Sequence, residues 1–127
     1  MILPFLQVLP VENMGRGMFT TEDIEPGVLI EMAPVVVMDS EARKLLDQTP
    51  LHDYIFEWGG EKKQCCMSLG YIAVYNHSYT ANCEYEMDFI DETISIRTVR
   101  FINAGEQLFI NYNGDWNDGK PVWFEAG

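Results

Sequence analysis

The sequence predicts a mainly β fold in one domain, and three observations support this. Prolines and glycines recur throughout, and between them lie short runs of β-branched and aromatic residues without a sustained helical period. Only one segment has a convincing helical start and stop. The chain has 127 residues, so a single hydrophobic core serves it well, whereas two domains would leave two marginal cores. We therefore expect one domain over residues 1–127.

The N-terminal segment predicts two strands joined by a glycine-containing loop. A first strand is expected at residues 6–9, a loop at residues 12–17, and a second strand from Met18. The loop holds an arginine between two glycines, and glycine lets the backbone approach a ligand or another strand closely. A plain turn that connects two strands explains the same residues.

Two further segments, residues 24–30 and 102–110, share one layout. In each, a turn with glycine precedes a run of apolar and β-branched residues, which predicts a turn followed by a strand. Residues 35–38 form another apolar run.

The one predicted α-helix covers residues 41–48. Asp39 and Ser40 are suitable capping residues before it, and Thr49-Pro50 ends it. The aromatic-rich residues 51–58 that follow fit either a strand or one helical turn.

Residues 84–90 alternate between acidic and apolar side chains, which is the period of a strand. One face is therefore expected to be wet and acidic, and the other buried. A turn at Asp91-Glu92 leads into residues 93–99, so the two segments predict an antiparallel hairpin. The acidic residues are Glu84, Glu86 and Asp88.

The charge balance is strongly acidic, with 8 Lys and Arg against 20 Asp and Glu, giving a net charge of −12. This argues against a direct nucleic-acid partner and is compatible with a basic one. Solubility alone explains the same charge.

The three cysteines, Cys65, Cys66 and Cys83, support neither a disulfide framework nor a zinc site. They fit a reducing, intracellular compartment, and we expect a cytoplasmic protein, or a nuclear one in a eukaryotic cell or host. The apolar N-terminus has two prolines and no basic flank, so it does not resemble a signal peptide, and no segment is long enough to span a membrane.

Common catalytic motifs are absent from the sequence. There is no nucleophile elbow, P-loop or dinucleotide fingerprint, and no histidine spacing that predicts a metal site. Cys83 and His77 form a conceivable thiol and base, but no third group orients them, so a buried structural cysteine is the better interpretation.

Four landmarks nevertheless follow one another in a distinctive order. They are Gly15-Arg16-Gly17 before a strand, Asn76-His77-Ser78 followed by Asn82-Cys83, the turn and strand Ala104-Gly105-Glu106-Gln107-Leu108, and the closing Asn111-Tyr112. In this order they resemble the SET domain, the fold of most protein-lysine methyltransferases. The resemblance covers about residues 12–116 and leaves 117–127 as a C-terminal tail.

The resemblance implies a SET fold of several small, mostly antiparallel sheets with one or two short helices and a knot-like threading of the C-terminal segment. It also implies S-adenosylmethionine as the methyl donor. The cofactor-binding residues that it implies are Gly15, Arg16, Gly17, Asn76 and His77, with Trp116 as a stacking lid. Without the resemblance, Asn76 and His77 are equally well explained as groups that brace a tight loop.

Tyr112 is the catalytic residue that the resemblance implies. Methyl transfer needs a neutral amine aligned with the methyl group, and a tyrosine hydroxyl at the meeting point can orient that amine. Aromatic residues for a lysine channel are Tyr54, Tyr75 and Tyr85, with Trp116 as a further candidate. At Tyr85, a tyrosine in place of phenylalanine restricts the number of methyl groups and favours mono- or dimethylation.

The sequence departs from the fuller family pattern in lacking the cysteine clusters of zinc-bound flanking modules. The exposed surface that this leaves is one that a homodimer would cover. The expected partner is a lysine-containing basic protein or peptide, drawn to the acidic strand face. The alternative function is a SET-like module that binds basic peptides without turnover.

Overall fold

The structure is a computed structural model and describes residues 1–59 and 64–112. Within these ranges it is mainly β, as predicted, with nine strands, one α-helix and two short 3-10 helices. The strands are β1 (Leu6–Val11), β2 (Gly15–Thr20), β3 (Leu29–Met38), β4 (Ile55–Trp58), β5 (Gln64–Ser68), β6 (Asn76–His77), β7 (Cys83–Asp88), β8 (Thr93–Thr98) and β9 (Gln107–Ile110). The helices are α1 (Ser40–Leu46) and the 3-10 helices Pro50–Tyr54 and Ile72–Val74.

The described strands form two sheets. One has four strands in the order β1-β2-β9-β6, and the other has five in the order β4-β5-β3-β8-β7. All pairs are antiparallel except β6 with β9, which run parallel and place His77 beside Ile110. Several small, mostly antiparallel sheets are therefore confirmed. The parallel pair brings the middle of the sequence next to the segment that ends at Tyr112.

The five-stranded sheet curls around the core. Its two edge strands meet across aromatic rings, with Phe56 of β4 at 5.6 Å from Tyr85 of β7, and Trp58 of β4 at 4.8 Å from Phe89, measured between ring centroids. Along β7, β8 and the middle of β3, side chains on the enclosed face alternate with more exposed ones. Fully buried aliphatic residues fill the interior, among them Ile30, Ile94, Ile96, Leu108 and Ile110.

The predicted hairpin of β7 and β8 is confirmed, with Glu84 opposite Arg97 and Asp88 opposite Thr93. Along β7 the acidic side chains are exposed, while Tyr85 and Met87 are half-buried. The strand ends at Asp88, and Phe89 beyond it is largely exposed.

The two predicted turn-and-strand units pair with each other. Ile24 and Ile102 exchange backbone hydrogen bonds of 2.8 and 2.9 Å. Gly27 and Gly105, in the two turns, have φ angles of +77° and +92°. These are left-handed conformations that glycine adopts without a steric penalty.

The helix was predicted within two residues of each end. Asp39 is its N-cap, and its Oδ1 accepts a 2.9 Å hydrogen bond from the Ala42 N–H. Residues 51–58, which fit either a strand or a helical turn, contain both: the 3-10 helix Pro50–Tyr54, capped by the Thr49 side chain, runs directly into β4.

The loop predicted at residues 12–17 is wrong in its second half, because β2 begins at Gly15. Gly15 and Gly17 pair with Val11 and Leu9 across a tight hairpin. Both glycines therefore lie on a strand and not in the connecting loop.

Two further predictions are the knot-like threading of the C-terminal segment and the lack of a membrane-spanning segment. The knot-like threading involves residues beyond Tyr112, which lie outside the described residues. Among the described residues, no helix has the length and apolar character that crossing a membrane requires.

Candidate active site

Asn76 joins the glycine-containing strand β2 to β9. Its Nδ2 donates to the backbone carbonyl oxygen of Arg16 and to Oε1 of Gln107, both at 2.9 Å. The Asn76 side chain thus connects the landmark Gly15-Arg16-Gly17 with the landmark that contains Gln107. No hydrogen bond to the Asn76 Oδ1 is formed within the described residues, so this oxygen keeps its acceptor capacity.

Gly17 is the residue that makes this close meeting sterically feasible. A Cβ at position 17 would come too close to Gln107 Oε1 and would lie 3.0 Å from Asn76 Nδ2. Gly15 differs, since a Cβ there would meet nothing within 4 Å, but its φ of +74° is unfavourable for other residues. The two glycines are therefore needed for different reasons, close contact at Gly17 and backbone conformation at Gly15.

His77 holds the backbone of Tyr112. The Tyr112 N–H donates to Nδ1 of His77 at 3.0 Å, which requires that Nδ1 be unprotonated. The His77 ring is 2% exposed and contacts the rings of Tyr79 and Tyr112 at centroid distances of 4.5 and 5.2 Å. Burial lowers the pKa of His77, which favours the neutral imidazole that this hydrogen bond needs.

The Tyr112 hydroxyl donates to the backbone carbonyl oxygen of Tyr75 at 2.8 Å. Burial is the main cause that raises the pKa of Tyr112 to about 12, and Asp53, Tyr54 and Tyr85 add to it. The phenol therefore stays protonated at neutral pH and keeps donating to this carbonyl. Because its hydrogen is used there, the oxygen lone pairs are what it presents to any ligand.

The other predicted aromatic residues lie at different depths. Tyr85 is half-buried, and its hydroxyl donates to the Tyr112 carbonyl oxygen at 3.4 Å. Tyr54 is 42% exposed and lies near enough to influence Tyr112 electrostatically. Both tyrosines therefore lie close enough to Tyr112 to raise its pKa, and their role in a lysine channel stays a prediction.

Tyr75 requires a correction. Its side chain is fully buried and donates a 2.9 Å hydrogen bond to Glu31 Oε1, so it does not line an open channel. Tyr75 contributes to the site through its backbone carbonyl. The hydrogen bond to Glu31 of β3 explains the difference, because it holds the Tyr75 side chain in the core.

The sequence predicts no role for three residues that lie in or near the site: Gln107, Glu31 and Asn82. Asn82 is 1% exposed and bridges to β9, donating to the Gln107 carbonyl oxygen and accepting from the Phe109 N–H. Gln107 and Asn82 belong to the landmark motifs, which gave their position but not their function. Trp116, the predicted lid, lies outside the described residues.

Cys83 is buried, and burial raises its pKa to about 12, so its thiol is protonated at neutral pH. This supports a packing role. Within the described ranges, no cluster of three His, Cys, Asp or Glu side chains is arranged to hold a metal ion.

The model of the SET domain family matches residues 15–113. The chain belongs to the SET domain family. The match begins at Gly15 and ends one residue after Tyr112, so it contains all of the hydrogen-bonded residues described above.

Two curated relatives and one solved structure support this assignment. The chain is 31% identical over 121 residues to the histone-lysine N-methyltransferase specific for H3 lysine-37 of Schizosaccharomyces pombe, covering 94% of this chain and 77% of that protein. It is 31% identical over 74 residues to the histone-lysine N-methyltransferase SETD7 of Halocynthia roretzi, covering 48% of this chain and 18% of that longer protein. A crystal structure of a candidate histone methyltransferase from Plasmodium falciparum superimposes with a TM-score of 0.69 and 26% identity, over 91% of this chain and 98% of the other.

Family and relatives together identify this SET domain as a protein-lysine methyltransferase, as the sequence predicts.

Proposed function

We propose that this SET domain transfers methyl groups from S-adenosylmethionine to a lysine side chain of a basic protein. The observation that carries the proposal is that residues 75–77 join two distant segments, the Gly15–Gly17 strand and Tyr112. Its N–H and its O–H are both fixed by residues 75–77, and Asn76 of the same segment holds the Gly15–Gly17 backbone. The residues proposed to bind S-adenosylmethionine and the Tyr112 hydroxyl proposed to orient the amine thus belong to one hydrogen-bonded network.

The donor side fits the amino-acid end of S-adenosylmethionine. Asn76 offers the unused Oδ1 as an acceptor, and the absence of a side chain at Gly17 keeps the surrounding groups in close contact. Both curated relatives are named lysine methyltransferases, which supports the same donor here. When bound, S-adenosylmethionine supplies a methyl group on a positively charged sulfur.

The acceptor side is organised by Tyr112. Because its hydroxyl hydrogen is held by the Tyr75 carbonyl, the oxygen accepts a hydrogen bond from the substrate amine and fixes the direction of its lone pair. The partly buried surroundings lower the pKa of a lysine that enters them, which favours the neutral, nucleophilic amine. Tyr112 acts by orientation and stays a neutral phenol throughout.

The substrate side lies along β7. In the described part of the chain β7 is an edge strand paired with β8 alone, and its acidic residues are exposed. An extended peptide can pair with such an edge through backbone hydrogen bonds, while the carboxylates attract its positive charges. The relatives' names specify histones, which are basic proteins, and this supports a lysine-rich substrate.

Isothermal titration with S-adenosylmethionine tests the donor part of the proposal. We expect saturable heat with one site per chain. The absence of heat at high ligand concentration, in a protein shown to be folded, would contradict the methyltransferase proposal and favour the alternative, a module that binds basic peptides without turnover.

Gly17→Ala is expected to weaken cofactor binding about fivefold. The new Cβ displaces the Gln107 amide and breaks its hydrogen bond to Asn76, and one such bond contributes about 1 kcal/mol. Calorimetric Kd values measure the effect. Gly27→Ala is the control, since it also replaces a glycine with alanine but adds a Cβ to open space. Its φ of +77° makes the alanine unfavourable there, so this variant also shows whether general destabilisation changes the Kd. Equal Kd values for Gly17→Ala and the parent protein would refute this role of Gly17.

Neutralising the acidic face of β7 is expected to raise the KM for a lysine-rich peptide about tenfold at low salt and to leave kcat unchanged. The difference should shrink as added salt screens the charges. The variant is Glu84→Gln, Glu86→Gln and Asp88→Asn combined. The control combines Glu22→Gln, Glu25→Gln and Glu41→Gln, which removes the same charge from exposed residues on other elements. A similar rise in KM for both variants would show that only net charge matters.

A further inference from the structure

Glu31 is a buried carboxylate in the middle of the apolar strand β3. It is 1% exposed, and each of its oxygens accepts one hydrogen bond, Oε2 from the Tyr71 N–H at 2.7 Å and Oε1 from the Tyr75 hydroxyl at 2.9 Å. Burial raises its pKa, which means that keeping a carboxylate here opposes its preference for water. A carboxyl group that is buried at this cost calls for a structural or functional explanation.

The two hydrogen bonds of Glu31 fix both ends of the 3-10 helix Ile72–Val74. Tyr71 is the residue before this helix and Tyr75 the residue after it. Gly70 lets the chain come this close, because its φ is +68° and a Cβ there would lie 2.9 Å from Glu31 Oε2. The helix is thus clamped against β3 by one side chain.

The clamped segment continues directly into the residues that hold Tyr112. The Tyr75 carbonyl oxygen accepts from the Tyr112 hydroxyl at 2.8 Å, and His77, two residues later, accepts from the Tyr112 N–H at 3.0 Å. A shift of Tyr75 therefore moves the acceptor that sets the direction of the Tyr112 O–H. The connected path runs from Glu31 through the Tyr75 side chain and carbonyl to the Tyr112 hydroxyl.

We infer that Glu31 is a positioning residue for Tyr112, acting through the buried hydroxyl and the backbone carbonyl of Tyr75. This inference rests on the proposed function only in so far as the Tyr112 hydroxyl orients the substrate amine. Glu31 itself is fully enclosed and does not contact substrate or cofactor. Its contribution is to keep the Tyr75 carbonyl in the one position from which it holds the Tyr112 hydroxyl hydrogen.

The decisive variant is Tyr75→Phe, which removes the hydroxyl that Glu31 holds and keeps the ring. We expect kcat to fall about fivefold to tenfold, which corresponds to roughly 1 kcal/mol of lost orientation, with the Kd for S-adenosylmethionine within about twofold of the parent. Tyr71→Phe is the matched control. It changes a tyrosine at the other end of the same helix, whose side chain is 48% exposed and whose N–H to Glu31 is untouched. Its kcat should equal that of the parent.

A second readout does not depend on methyl transfer. With tyrosine labelled at Cζ, the NMR resonance of Tyr112 is expected to shift in Tyr75→Phe and to stay unchanged in Tyr71→Phe. Glu31→Gln, which keeps the side-chain volume but offers one acceptor for two donors, should shift the same resonance. An unchanged Tyr112 resonance in both Tyr75→Phe and Glu31→Gln would overturn the inference. If the parent protein transferred no methyl group while the resonance shifted as expected, the proposed function would fail and the positioning of Tyr112 would stand.

Discussion

Tyr112→Phe is expected to reduce kcat about 100-fold while the Kd for S-adenosylmethionine stays within about twofold. Removing the hydroxyl deletes both the bond to the Tyr75 carbonyl and the oxygen that orients the substrate amine. Misplacement of reacting groups by about 1 Å is enough for a loss of this size. Single-turnover rates with a lysine-rich peptide, together with calorimetric cofactor binding, separate the two parameters.

The matched control for Tyr112→Phe is again the exposed Tyr71→Phe, which should retain full activity. The phenol stays protonated because burial raises the pKa of Tyr112 to about 12, so the rate should show no dependence on its ionisation near neutral pH. Equal rates for Tyr112→Phe and the parent protein would refute the orienting role. A large loss of cofactor affinity in Tyr112→Phe would instead place this residue in donor binding.

Asn82→Ala is expected to lower the free energy of unfolding by about 3 kcal/mol. The 1% exposed side chain donates to the Gln107 carbonyl oxygen at 2.9 Å and accepts from the Phe109 N–H at 2.8 Å. Its removal leaves two backbone groups of β9 without partners in a partly buried place, and each such loss costs about 1–3 kcal/mol. Equilibrium unfolding in urea measures the change.

Asn103→Ala is the control for Asn82→Ala. Asn103 is exposed, and its side chain donates only a long 3.3 Å hydrogen bond to Glu106, so we expect a loss of less than about 0.5 kcal/mol. Since β9 leads into Tyr112, Asn82→Ala should also lower activity. Equal unfolding midpoints for the two variants would show that Asn82 does not brace β9.

Local sequence patterns predicted those elements whose structure depends on their own residues. The alternation along β7, the hairpin with β8 and the helix capped by Asp39 all follow from side chains a few positions apart. Residues 51–58 remained ambiguous because a 3-10 helix and a strand meet within them, so that neither period extends far enough to be recognised.

The parts that sequence did not predict depend on contacts between distant segments. Nothing in the apolar run of β3 indicates that Glu31 accepts hydrogen bonds from Tyr71 and Tyr75, which follow it by 40 and 44 positions in the sequence. Tyr75 is predicted to line the channel because a tyrosine suits that role. The prediction is wrong because the hydrogen bond from the Tyr75 hydroxyl to Glu31 of β3 holds the side chain in the core. The early start of β2 likewise depends on pairing with β1, which two glycines alone do not predict.

The predicted site was recognisable because its landmarks combine several residue types in a fixed order. Asn76 and His77 were identified as donor-side residues, and the structure gives both of them contacts to the backbone of other landmarks. Gln107 was part of a landmark without a role, because an amide in a strand has no signature until its partners are known.

Transfer of a labelled methyl group from S-adenosylmethionine to lysine-rich proteins tests the central proposal most directly. The proposal predicts label on lysine in a folded, purified preparation of the parent protein, and about 100-fold slower labelling with Tyr112→Phe. Absence of label on lysine across a panel of basic proteins, from a parent protein that binds S-adenosylmethionine, would contradict it.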